Sequence, residues 1–294
     1  MPETGEYILS GSGFNRQELP YISLQRKGSF VDLLSLNEVI SLEFDTFQRF
    51  CIGWRDLDTK EQFTCPEENT LNEKYEQCNS CQKRTGFNPA FYNTTSVSEQ
   101  QERRNLQPHI LYLAHFGGKT TKVGISLAAR NSARLLEQGA RSGIILDTFP
   151  SAHIARQYEA KIAALPNIAE SIQLRKKQQL ISSHLYRPEN GVKELLECKQ
   201  IIEELLDKQF KNSPPQHFDS IYFPHEIPSL KGAIDCTGQN RISGKVLGMI
   251  GSLLFCTYND TTLYLPLKKY IGYRVIFSNQ RKELQLPAQQ MSLL

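Results

Sequence analysis

Residues 109–163 constrain this chain more than any other stretch. Two apolar runs, 110–114 and 122–125, flank the turn-rich Phe116, Gly117, Gly118, Lys119 and Thr120. Short apolar runs on either side of paired glycines predict a β-hairpin. Ser126 stands where an N-cap is expected, ahead of good helix formers that run to Gly139, a residue suited to closing a helix. A third apolar run at 143–146 reads as a strand. Pro150 and Ser151 then open a second helix, with Ile154, Tyr158, Ile162 and Leu165 at helical spacing. The expected order is strand, strand, helix, strand, helix.

The flanking segments read differently. With 294 residues the chain can bury a sizeable core in more than one unit. We expect an α+β protein with a β-rich unit at 1–107, a central α/β unit at 108–187 and a C-terminal unit at 188–294. Residues 7–9, 21–24 and 39–44 are short β-prone runs separated by turns. Past them lie Cys51, Cys65, Cys78 and Cys81, the last two forming a Cys-x-x-Cys knuckle. A knuckle with two further cysteines fits a closed, tetrahedral, structural zinc site, since thiolates are soft ligands and zinc has no other geometric demand. A redox pair at Cys78 and Cys81, or four ordinary buried thiols, are the other readings; a redox pair is expected in a thioredoxin-like setting, which is absent here. Residues 88–107 are polar and read as a linker. Residues 192–210 are an amphipathic helix with Leu195, Leu196, Ile201, Ile202, Leu205, Leu206 and Phe210 on its apolar positions. Runs at 219–223, 242–250, 252–258, 261–267 and 273–278 read as five strands, expected to close into a small SH3-like or OB-like barrel with a frayed tail at 279–294.

Charge separates the units. The net charge of +3 divides into −5 for residues 1–108, +7 for 109–187 and +1 for 188–294. A positive central unit suits a phosphate-backbone partner, DNA or RNA. The consecutive Arg175, Lys176 and Lys177 extend it. No apolar run approaches a membrane span, and the N-terminus lacks the basic and apolar regions of a signal peptide, so no membrane partner and a cytoplasmic location are expected.

The central residues resemble a diverged GIY-YIG nuclease domain, which has the same element order. Its first signature falls on Ile110-Leu111-Tyr112 and its second on Lys122-Val123-Gly124, with Ile110 in place of a glycine and Lys122 in place of a tyrosine. The wider pattern is His109-x-x-Tyr112-Leu113-Ala114, Lys122-Val123-Gly124-Ile125 and Leu135-Leu136-Glu137-Gln138-Gly139-Ala140. That pattern, with cysteines upstream and a β-rich tail, is similar to a family catalogued only as a domain of unknown function. The nuclease resemblance implies a metal-dependent phosphodiesterase with four catalytic residues. Tyr112 would be a general base whose pKa nearby cations lower, with Lys122 supporting it or holding a phosphate. Arg134, on a helix face with Arg130 and Gln138, would stabilise charge on phosphorus, and Arg130 would contact nucleic acid. Glu159 would hold magnesium or manganese. Plainer roles stand beside these: Tyr112 as a core aromatic, Glu159 as a partner of Arg156 three residues back. The same scaffold also suits a zinc-containing protein that binds nucleic acid without cutting it.

Overall fold

The computed structural model describes residues 2–15, 17–33, 36–72, 75–86, 97–183, 186–211 and 213–286. Four strands open the chain: β1 (Gly5–Phe14), β2 (Pro20–Arg26), β3 (Ser29–Leu33) and β4 (Val39–Phe50). After a two-residue hairpin (Trp54–Arg55 with Gln62–Phe63) come the short helices α1 (Asn79–Thr85) and α2 (Glu99–Asn105). The segment expected as a linker therefore carries a helix, started by Ser98, whose hydroxyl accepts from the Gln101 amide. The rest of that segment up to residue 96 lies outside the described residues.

The central order is as expected: β5 (His109–His115), β6 (Thr121–Leu127), α3 (Ala133–Gln138), β7 (Ser142–Phe149) and α4 (Ala152–Ala163). Ser126, however, caps nothing. It pairs with Ile110 inside the β5–β6 ladder, which continues to His109 and Leu127, so the helix is delayed to Ala133. Gly139 does close α3, at φ 75°. Ser151 caps α4 as its sequence implies, accepting from the Ile154 amide. The basic stretch beyond becomes α5 (Leu174–Ser183), and the amphipathic helix is α6 (Pro188–Leu206). On α6, Leu195 and Ile202 are buried, whereas Leu196, Ile201 and Leu205 are exposed.

At the C-terminus the expectation of a separate small barrel gives way. Residues 219–222 form a helix, α7 (Asp219–Tyr222), because burying Phe218 and Tyr222 needs helical i, i+4 spacing and Asp219 is held by Arg141. The remaining strands are β8 (Arg241–Ile250), β9 (Leu253–Tyr258), β10 (Thr261–Pro266) and β11 (Tyr273–Ser278). They join the N-terminal strands in one ten-stranded sheet, whose main path runs from Ile234–Asp235 through β10, β9, β8, β4, β11, β1 and β2 to β3, and does not close. β4 lies between β8 and β11, with Ser41 opposite both Ser243 and Ser278. Each set of strands supplies the other's hydrogen-bond partners, which a self-contained barrel would not need. The start of the tail is also packed: the Lys282 amide donates to Ser243 Oγ at 2.8 Å, and Leu284 and Leu286 lie on the core.

The central sheet, in which β6, β5 and β7 are neighbours, is the middle layer. One face, with Ile110, Tyr112 and Ala114, joins Leu135, Leu136 and the large sheet in the main core. The other, with Leu111, Leu113, Val123, Ile144 and Leu146, packs on Ala155 and Ile162 of α4 and on Leu195 and Ile202 of α6. Burial of both faces explains why β5 reads as an unbroken apolar run. Arg141 and Asp219 tie the layers with a bidentate ion pair at 2.7 and 2.6 Å, fully inside the protein.

Candidate functional site

The four cysteines meet. Their Sγ atoms all lie within 4.8 Å of one another, with Cys65 and Cys78 at 4.0 Å, and none is more than 9 % exposed. Four thiolates about 2.3 Å from one tetrahedral ion stand roughly 3.8 Å apart, so the cluster can hold a structural metal such as zinc. Local geometry assembles it. Cys78 precedes α1 and Cys81 falls in its first turn. Gly53, at φ 83°, lets the Trp54 hairpin pass so close that a Cβ there would stand 1.9 Å from the Phe63 carbonyl oxygen. The Cys78 amide donates to Cys51 Sγ at 3.2 Å. Burial pushes the Cys51 and Cys81 thiols up. Burial acts on Cys78 too, but hydrogen bonds from the Asn69 side chain and the Cys81 backbone bring it to about 6, toward the thiolate that a metal needs.

The second cluster lies on the central sheet. Tyr112 is 1 % exposed, and its hydroxyl rests over Gly124, where a Cβ would stand 2.4 Å from it. That close approach is the physical reason for glycine in the Lys-Val-Gly-Ile run. Gln138 Nε2 donates to the hydroxyl at 2.7 Å, and Arg134 also bonds to it. Burial nevertheless holds the Tyr112 pKa above its ordinary value, with Arg134 and Gln138 working against it. The expected lowering is thus reversed: Tyr112 keeps its proton and acts as a neutral hydroxyl.

Lys122 is half-buried. Burial lowers its pKa, Glu159 opposes that, and Arg134 adds to it; the amine donates to the Glu170 carbonyl oxygen. Glu159 is 5 % exposed, and burial raises its pKa against the pull of Arg156 and Lys122. Arg156 bridges Glu159 and Glu170, so the plain i, i+3 pairing of the sequence is present and inside the cluster. Tyr112, Lys122, Arg134 and Glu159 are therefore close enough to perturb one another, from four different elements.

The other cations divide. Lys177, read from sequence as part of a basic run that extends the positive unit, turns inward: its amine donates to the Gln138 carbonyl oxygen at 2.6 Å and sits 4.8 Å from the Phe116 ring centroid. Burial, then Lys122, Lys268 and Arg134, bring its pKa down to about 8. Arg175 and Lys176 stay exposed on α5. Arg130 does not share a helix face with Arg134, because Asn131 at φ 42° breaks the turn between them; Arg130 and Arg134 meet on Glu137 instead. Lys268 and Glu170 carry no local signal that could have placed them here.

The family described as "Protein of unknown function (DUF2797)" matches residues 38–275, and the chain belongs to it. The match spans the cysteine cluster, the central cluster and the C-terminal strands. No curated protein and no solved structure matches the chain.

Proposed function

We propose that this DUF2797 member binds nucleic acid and hydrolyses phosphodiester bonds through a diverged GIY-YIG-type site on β5, β6, α3 and α4. The observation that carries the reading is the meeting of Tyr112, Lys122, Arg134 and Glu159, drawn from a stretch of 48 residues, in one cluster of positive excess. Lys122, Arg134 and Lys177 would bind the phosphate and offset the charge that builds on it. Tyr112, retaining its proton, would donate to a phosphate oxygen rather than take a proton from water. Glu159 would hold a magnesium or manganese ion, which when bound supplies charge neutralisation at the scissile phosphate. The fit is that of a single-carboxylate site: Arg156 has Glu170 as a second partner, so it can leave Glu159 without becoming an unpaired charge. The cysteine cluster is structural in this reading.

A second reading, binding without cleavage, draws on the same Glu159–Arg156 pair, because a carboxylate already neutralised by an arginine serves equally well as scaffold. The deciding experiment is incubation of the purified protein with mixed single- and double-stranded DNA and RNA, with magnesium, with manganese and with chelator. Cleavage is expected, and Glu159→Gln should remove it while leaving binding intact. Arg134→Ala should slow it by about 10²–10³, the usual loss on removing an electrostatic stabiliser. Binding with no cleavage under either metal would leave the second reading in place. No binding at low salt would end both.

A further inference from the structure

A second positive site lies between the cysteine unit and α3. A cavity of about 310 Å³ opens there, lined by Tyr21, Trp54, Arg55, Gln62, Gln77 and Arg130 among others. Its volume is at the lower end of small-ligand sites. Trp54 stacks on Phe63, with centroids 4.2 Å apart and planes within 14°, and Phe63 is 38 % exposed.

The charges around it are unbalanced. Arg104 on α2 is half-buried, and the charged groups it feels are Arg55 and Arg130, both repulsive. Lys60 feels the same Arg104 and Arg55, opposed by Asp58 and Asp56. Asp58 pairs with Arg103 at 2.7 Å and Asp56 accepts from the amides of Asp58 and Thr59, while Glu137, which lines the cavity, pairs with Arg130 and Arg134. Among the described residues no carboxylate forms an ion pair with Arg55 or Arg104. Two guanidinium groups without an ion-pair partner, Arg55 and Arg104, beside a tryptophan match the chemistry of a phosphate carrying a planar base.

We propose that this cavity seats one nucleotide of a single-stranded nucleic acid, with its phosphate on Arg55 at the cavity wall, Arg104 adding positive charge from beside it, and its base on Trp54. The proposal rests on the nucleic-acid reading above but not on hydrolysis. It also supplies a direction for the strand. Glu137 takes Arg130 on one side and Arg134 on the other, so the cavity adjoins the central cluster, and a strand held at Arg134 would continue into it. The preference is for single strands, because a base paired in a duplex cannot stack on Trp54.

Trp54 is the sole tryptophan of the chain, so its fluorescence reports this cavity. Titration of the full protein with a twelve-residue oligothymidylate at low salt should quench Trp54 saturably, and added salt should weaken the binding. A duplex of equal length should quench far less. Arg55→Gln with Arg104→Gln should lower affinity by about tenfold or more, with metal content unchanged as the check on folding; Trp54→Ala should do likewise by anisotropy, and Trp54→Phe should bind nearly normally. Glu159→Gln should quench like the wild type, so a protein that quenches but does not cleave keeps this proposal and loses hydrolysis. Oligonucleotide bound by anisotropy with Trp54 unquenched overturns the proposal, as does a double arginine variant of wild-type affinity, or no binding at low salt. Equal quenching by inorganic phosphate alone would make the cavity an anion site and overturn the strand assignment.

Discussion

The cysteine cluster and the Tyr112 cluster are built on opposite plans. The first gathers four ligands of one chemistry from a 31-residue stretch with little apolar support: among the described residues, Trp54 and Leu71 are the apolar side chains packed on the cysteines. A metal held by the four thiols would supply the order that so few apolar contacts leave wanting. The second gathers residues of different chemistry from β5, β6, α3, α4 and α5, each held by two apolar cores that exist without it. A site held by a ligand fails when the ligand leaves; a site held by a core can lose a member and keep its shape.

The largest effect should therefore come from the cysteines. Cys78→Ser with Cys81→Ser, or treatment with a strong chelator, should take the metal content from about one equivalent to none and expose residues 51–86 to protease. Metal analysis and limited proteolysis check this; stoichiometric zinc in the double variant would contradict the assignment. Next is the buried clamp. Asp219→Asn should destabilise the fold by about 3–5 kcal/mol in denaturant titrations, since it strands the Arg141 charge, whereas replacing both residues by apolar ones should recover much of that loss.

Gly124→Ala comes third. It should cost roughly 1–3 kcal/mol and shift the Tyr112 ring, because the new methyl overlaps the hydroxyl. Tyr112→Phe in the same background should relieve only part of the clash, since the ring carbon that bore the hydroxyl still stands 2.6 Å from the new methyl, and a fully additive double variant would argue against any overlap with the hydroxyl.

The smallest effect should be at Lys177. Its folded pKa of about 8 lies below the unfolded value of 10.5, so burial of the charged amine costs stability below pH 8, and that cost is relieved as pH rises from about 8 to 10.5. Lys177→Met should be more stable than the wild type at pH 7, with the gain shrinking above pH 8. An anion bound at the cluster needs the protonated amine, so wild-type nucleic-acid binding should weaken as pH passes 8. Equal pH dependence in the variant would remove Lys177 from the site.

The two plans also explain what the sequence made legible. Cysteines announce themselves by type and spacing, so the first cluster could be assembled without a fold. The central strands and α4 were legible because their periods and Ser151 are local signals. The inward turn of Lys177 was not legible, because a basic triplet does not show which of its members turns inward, and its partners Gln138 and Phe116 are far away in sequence. The pKa direction of Tyr112 depended on a burial that no single strand reveals. The barrel expectation failed for a related reason: strand periodicity shows that β8 to β11 are strands, but not whose edges they pair with.

The position of β4 also bears on how the protein is made. Its two main partners, β8 and β11, leave the ribosome some 200 residues after it does, so for most of synthesis both of its long edges are open. The hairpin of β5 and β6 can form as soon as it emerges, whereas the large sheet must wait for residues 273–278 to close over β1 and β4. A nascent chain of this design has an interval in which an apolar strand is available to any neighbour, and ribosome-bound intermediates halted before β8 should be the forms that chaperones engage most strongly.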